Sequence, residues 1–126
     1  MKIYIFLPIF VGLSILSASC TKEVRYNREE LYKMAKKADP TLSFVLPRTM
    51  QEGVNCADYP AGCIAGHTVK VQGLEMIVVE FVDEDHAIVA SKKLRGYYLR
   101  NWLLDDVTGE PKLEKFVVEK LEAKKP

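Results

Sequence analysis

The sequence predicts an α+β domain in which a small antiparallel sheet carries packed helices, in the order strand, strand, helix, strand with one further helix at each end. Three observations predict it. Residues 76–82 (MIVVEFV) form a nearly continuous apolar run of strand length, broken only by Glu80. Asp83 can then cap a helix, and residues 97–104 (YYLRNWLL) return to the aromatic and branched composition of a strand. Outside this core, residues 27–38 and 110–121 repeat apolar side chains at helical spacing. With 126 residues and 48% hydrophobic content, the chain has the size and composition of one domain. Its formal net charge of +1 gives no electrostatic reason to seek nucleic acid, and no nucleic-acid partner is expected.

Taken in order, the chain opens with Met1-Lys2 and then residues 3–19 (IYIFLPIFVGLSILSAS), which carry no charge. This is the basic start, apolar middle and small-residue end of an export signal. The stretch Leu16-Ser17-Ala18-Ser19-Cys20 resembles the lipobox of bacterial lipoproteins, with Ser17 standing where a Leu is usual. The resemblance implies that residues 1–19 are a signal peptide and that Cys20 becomes the first mature residue, carrying diacylglyceryl and usually a further acyl chain. Two or three chains make such an attachment stable, whereas one binds marginally. Residues 20–26 then form a lipidated tether, and 21–26 span at most about 20 Å. Thr21 rather than Asp after Cys20 resembles outer-membrane cargo facing the periplasm, if the source is Gram-negative. Loss of the leader removes one charge, Lys2, and brings the formal balance to zero. Without lipidation the same residues would be an uncleaved signal anchor, or a signal cut after Ala18 or Ser19.

Residues 27–126 are expected to form the single domain. Asn27 and Glu30 have capping-box spacing and open the series Leu31, Met34, Ala35, Ala38, which Asp39-Pro40 ends. A short strand is expected over 41–46, stopped by Pro47. Residues 50–67 contain Gly53, Pro60, Gly62 and Gly66, too much punctuation for a regular element, and are expected to be a loop. Export permits oxidation, and with Cys20 acylated the remaining pair, Cys56 and Cys63, is expected to form a disulfide. The alternative, a metal held by Cys56, Cys63 and His67 with His86 or an Asp, lacks the close cysteine spacing of zinc sites. No metal or other cofactor is expected.

A β-branched strand over 68–71 and the Gln72-Gly73 turn lead into 76–82 as a hairpin. The central helix begins with Glu84 and Asp85, ends with Lys92, Lys93 and Arg95, and offers Ala87, Ala90, Ser91 and Leu94 as a narrow packing stripe. Gly96 is expected to close it in the left-handed conformation. The strand order is similar in part to the ferredoxin-like arrangement, although only the cysteine loop stands where its first helix belongs. Residues 78–104 also resemble the second half of an RNA-recognition motif, but Met76 and Val78 occupy the positions where that family stacks bases on aromatics. The SPOR domain, an exported family with a similar sheet, binds peptidoglycan glycan and is the closer analogy by compartment.

Read as one continuous strand, 97–104 places Tyr97, Leu99 and Leu103 on one face and Tyr98, Arg100, Trp102 and Leu104 on the other. If helices cover one face only, Tyr97, Tyr98 and Trp102 offer a platform for a sugar ring or protein partner; if the first helix or the cysteine loop covers the second face, they are core. The closing helix presents Leu113, Phe116, Val117 and Leu121, and the tail after Lys120 is expected to fray. No nucleophile with a base, paired carboxylates or phosphate loop emerges, so catalysis is not expected. The expected function is that of a membrane-anchored envelope lipoprotein, structural or interacting with an envelope protein, with cell-wall glycan binding as the alternative and, behind it, a metal-binding protein or one that uses Cys56 or Cys63 in catalysis.

Overall fold

The computed structural model describes residues 25–126. The expected signal peptide, Cys20 and the first residues of the tether lie outside the described residues.

The first helix, α1 (Arg28–Ala38), starts where the capping-box spacing predicts. Asn27 Oδ1 accepts from Glu30 N at 2.8 Å, and Glu30 Oε1 accepts from Asn27 N at 3.0 Å. Two of the four amides that a helix start leaves unpaired are thereby satisfied. Leu31 and Ala35 are its buried face. Asp39 caps the other end in an extended conformation, as the following proline requires. Strand β1 (Ser43–Val45) is short, and Pro47, which has no amide to donate, stands two residues beyond it.

The remaining strands are β2 (Cys63–Val71), β3 (Leu74–Phe81), β4 (Tyr97–Leu99) and β5 (Trp102–Asp105). They form one five-stranded sheet in the order β1-β2-β3-β5-β4, with every neighbouring pair antiparallel. Gln72 and Gly73 both take positive φ, +53° and +80°, the condition for the tight turn that matches strand twist. Two expectations are corrected. The cysteine loop ends at Cys63 rather than after His67, because residues 63–67 pair with β3. Residues 97–104 are two strands, since Arg100 at φ +54° and Asn101 turn the chain back on itself.

That turn reassigns the faces. Tyr97 pairs with Leu104 and Leu99 with Trp102, so these four share one side while Tyr98 and Leu103 share the other. On the first side lie α1 and the closing helix, around Met76, Val78, Trp102 and Leu104. On the second lies the central helix α2 (Glu84–Leu94), against Val79, Phe81 and Leu103. Helices therefore cover both faces of the sheet. Asp83 caps α2 by accepting from His86 N at 2.8 Å. Ala87, Ala90 and Ser91 are fully buried, which lets α2 lie close on β5; Leu94, expected beside them, is exposed.

The end of α2 differs from the sequence expectation in an informative way. The left-handed residue is Arg95, at φ +56°, and Gly96 has no positive φ. Gly96 is glycine because a Cβ there would stand 2.8 Å from the Leu104 carbonyl oxygen. The closing helix α3 (Pro111–Lys115) continues as a wider π turn over Phe116–Lys120 and buries Leu113, Phe116 and Val117. The tail does not fray: Tyr98 N donates to Lys124 O and Lys124 N to Tyr98 O, both at 2.9 Å. This short bridge occupies part of the outer edge of β4, an edge that would otherwise be open to foreign strands. Among the described residues no helix is long and apolar enough to cross a membrane.

The two adjacent residues at the end of α2 should respond oppositely to substitution. Gly96→Ala is expected to lower unfolding stability by about 1–3 kcal/mol through the forced contact with backbone. Arg95→Gly is expected to raise it, by about 0.5–1 kcal/mol, by relieving the left-handed conformation. Urea titration of the two variants against the parent chain measures both.

Candidate functional site

The two loop cysteines are joined, with Cα atoms 5.5 Å apart. Asn55 starts the short turn Cys56–Asp58 by accepting from Ala57 N at 2.9 Å. Cys63 reaches the same side because β2 carries a bulge between Cys63 and Ala65. Without the extra residue, alternation would place Cys63 with Ala65 and His67 on the α1 face; with it, Cys63 joins the cluster under α2. Val54 and Tyr59 pack there too, and Gly66 leaves the space that Val54 fills, since a Cβ on Gly66 would lie 2.3 Å from Val54 Cγ1. Tyr59 donates its hydroxyl to Asp105 Oδ2 at 3.0 Å, and burial, reinforced by the Asp105 charge, pushes that hydroxyl well above the ordinary tyrosine value. The cysteine loop is thus a cover for the part of the sheet that α2 leaves bare.

The two histidines are separated by the sheet. His86 lies beside the loop, its ring under Gly62 and its Nδ1 2.6 Å from Asp83 Oδ1; the bond from His86 N to the cap, with this ring contact second, holds the Asp83 carboxyl below its ordinary value. His67 pairs with Val78 on the α1 face. Both sulfurs are in the disulfide, so neither offers a thiolate in the oxidised protein. Among the described residues there is no group of three or more His, Cys, Asp or Glu side chains able to hold a metal ion.

Of the two alternatives for Tyr97, Tyr98 and Trp102, the covered one holds for Tyr97 and Trp102, and the three form no exposed platform. Trp102 is completely buried and Tyr97 nearly so, under α1 and the closing helix, while Tyr98 is half-buried on the opposite face. Tyr97 instead donates to Glu114 Oε2 at 3.1 Å. A buried indole needs an acceptor, and Trp102 finds one in the backbone: Nε1 donates to Tyr26 O at 2.7 Å. In return Tyr26 N donates to Asn101 Oδ1 at 2.8 Å, and the buried Asn101 amide donates to Phe81 O at 3.2 Å. The guanidinium of Arg100 stands 5.0 Å above the Tyr26 ring. The chain therefore joins the domain through a clamp at the β4–β5 turn.

Two surface features surround this clamp. Tyr26 and Tyr98 line a groove of about 440 Å³ together with Arg100, Lys120 and Lys124 and two acids, Glu84 and Glu122. Across the α1 face, ring centroids step from Tyr32 to Phe44 (4.9 Å), to His67 (5.3 Å) and to Trp102 (6.4 Å). Burial, with the Arg28 charge, lowers the His67 imidazole below its ordinary value, favouring the neutral ring that stacks on Phe44. Burial raises the Glu80 carboxyl, and Arg25 and Arg28 oppose that rise.

Tyr26 is the clamp residue that sequence reasoning overlooked, and it had a signal. It directly precedes the Asn27 cap and stands five residues before Leu31, the spacing of a hydrophobic staple that fixes the angle at which a chain enters a helix. No family model matches the chain, and comparisons with curated proteins and with solved structures find no match either.

Proposed function

We propose that this chain is an exported lipoprotein of the bacterial envelope, tied to a membrane by lipid on Cys20 and acting as a structural or protein-interaction module without catalysis. In a Gram-negative source Thr21 favours the outer membrane, with the domain facing the periplasm. The observation that carries the reading is the clamp on Tyr26. The backbone of Tyr26 is held at both its N–H and its carbonyl, six residues after Cys20, so the free length between anchor and rigid domain is at most about 20 Å. A module on so short a leash works at the membrane surface, and a disulfide suits an oxidising compartment.

A second reading, binding of cell-wall glycan, is favoured by the groove of Tyr26, Tyr98, Arg100, Lys120 and Lys124. Aromatic faces suit sugar rings, and three cations against the two acids Glu84 and Glu122 leave the lining with donors and acceptors for sugar hydroxyls and a small positive excess for the carboxylates of peptidoglycan. On this reading a sugar meets Tyr98 and Tyr26 rather than Tyr97 and Trp102, which are buried.

Intact mass of the membrane-extracted protein tests the first reading. The expected result is a chain beginning at Cys20 with added acyl mass, and two cysteines that alkylate only after reduction; an unlipidated, uncleaved chain with free thiols contradicts it. Co-sedimentation with purified sacculi tests the second. The soluble domain is expected to pellet and a Lys120→Glu/Lys124→Glu variant to stay in solution; failure of the unaltered domain to pellet removes glycan.

A further inference from the structure

The groove beside the clamp is assembled from separate parts of the chain that hydrogen bonds and burial hold in place. Tyr26 brings the segment before α1, its backbone tied to Asn101 and Trp102. Arg100 brings the β4–β5 turn and stands 5.0 Å above the Tyr26 ring. Lys120, Glu122 and Lys124 bring the C-terminal segment. Buried Leu121 pins that segment to the core, and two backbone bonds between Tyr98 and Lys124, both 2.9 Å, pin it to β4. Glu84 adds the first turn of α2. A volume of about 440 Å³ lies within the range of small-ligand sites, and walls fixed in advance lower the ordering cost of binding.

We infer that the groove takes the peptide stem of peptidoglycan, through the stem's free carboxylates and the ammonium of an uncrosslinked diamino acid, and not the sugar chain that bears the stem. The inference rests on the cell-wall reading of the groove and names the part of the polymer that fills it. Charge decides between the two parts. The sugars carry hydroxyl and acetamido groups, and the lactyl carboxyl of the muramic unit is consumed by its amide bond to the stem, so the stem-bearing glycan strand is itself neutral. A neutral ligand strips water from five charged side chains, Glu84, Arg100, Lys120, Glu122 and Lys124, and returns only neutral hydrogen bonds. The stem offers ions of both signs at short spacing. Its carboxylates suit Arg100, whose planar fork donates two bonds to one carboxylate, with Lys120 and Lys124 as further donors. Its ammonium suits Glu84 and Glu122. The two acids also set selectivity, because a ligand with carboxylates alone meets them as like charges. The rings of Tyr26 and Tyr98 supply apolar surface for the alanyl methyl groups between the charged ends.

The test titrates the full chain, in detergent micelles, with soluble fragments of peptidoglycan and follows binding by calorimetry. The fragments are the free stem tetrapeptide, the disaccharide that bears it and the disaccharide without it. The stem-bearing pair is expected to bind with affinities within about threefold of each other, and the bare disaccharide about tenfold or more weaker. Acetylation of the side-chain amine of the diamino acid is expected to weaken the stem about tenfold for the parent chain and to make no difference to a Glu84→Gln/Glu122→Gln variant. A merely structural role of the two acids would not produce that pattern. Equal binding of the disaccharide with and without its stem overturns the inference and leaves the glycan reading standing. A stem affinity indifferent to acetylation overturns it too. Co-sedimentation with sacculi reports the cell-wall reading separately. If the parent chain stays in solution there, that reading fails by itself, and the titration still decides the groove: stem binding that acetylation weakens keeps the assignment, and a flat titration overturns it.

Discussion

The indole of Trp102 sets the constraint on which the rest of this structure depends. It is the largest side chain in the core, and burying it strands one N–H that must find an acceptor. The carbonyl of Tyr26 is that acceptor, so the chain before α1 cannot hang free; it is drawn down onto the β4–β5 turn. Asn101 makes the arrangement reciprocal, since its side-chain oxygen accepts from the Tyr26 N–H and its amide nitrogen donates to the Phe81 carbonyl. One turn of the sheet thereby fixes where the chain arrives, how α1 starts and how far the domain can stray from whatever holds its N-terminus. Each hydrogen bond contributes only about 1 kcal/mol net, but an unpaired buried group costs more, which makes the set act together.

Helices on both faces follow from the same economy of burial. A sheet whose strands are apolar on both sides must be covered on both sides, and this short chain does it with unequal parts. One face receives α1 and the C-terminal helix; the other receives α2 and, beside the first turn of α2, a disulfide-closed loop. A ring of this size contributes about 2–3 kcal/mol in the chain-entropy view, appropriate for a cover with no regular structure of its own.

Much of this architecture was legible in the sequence. The capping box at Asn27, the Gln72-Gly73 turn, the apolar run of β3 and the small-residue stripe of α2 are local patterns, and each formed as local physics requires. The errors came where a residue's role is set across the sheet. Asn101 reads as a strand residue until its side chain is seen to serve Tyr26, far away in sequence, and so the β4–β5 turn went unseen. Gly96 reads as a helix terminator, whereas Leu104 demands it. The bulge that turns Cys63 toward Cys56 leaves no compositional mark. The same turn, between Leu99 and Trp102, decides between the two alternatives for the aromatics: it exchanges the faces and carries Trp102 inside.

The clamp is the central claim, and the single tryptophan makes it directly measurable. Native-state hydrogen exchange of the Trp102 indole N–H and the Tyr26 amide, followed by NMR, reads whether both are locked. The account requires both to exchange only with global unfolding, at the rate of the buried β3 amides. Rapid exchange of either, while the β3 amides stay protected, would mean that the segment before α1 frays independently and would contradict the clamp.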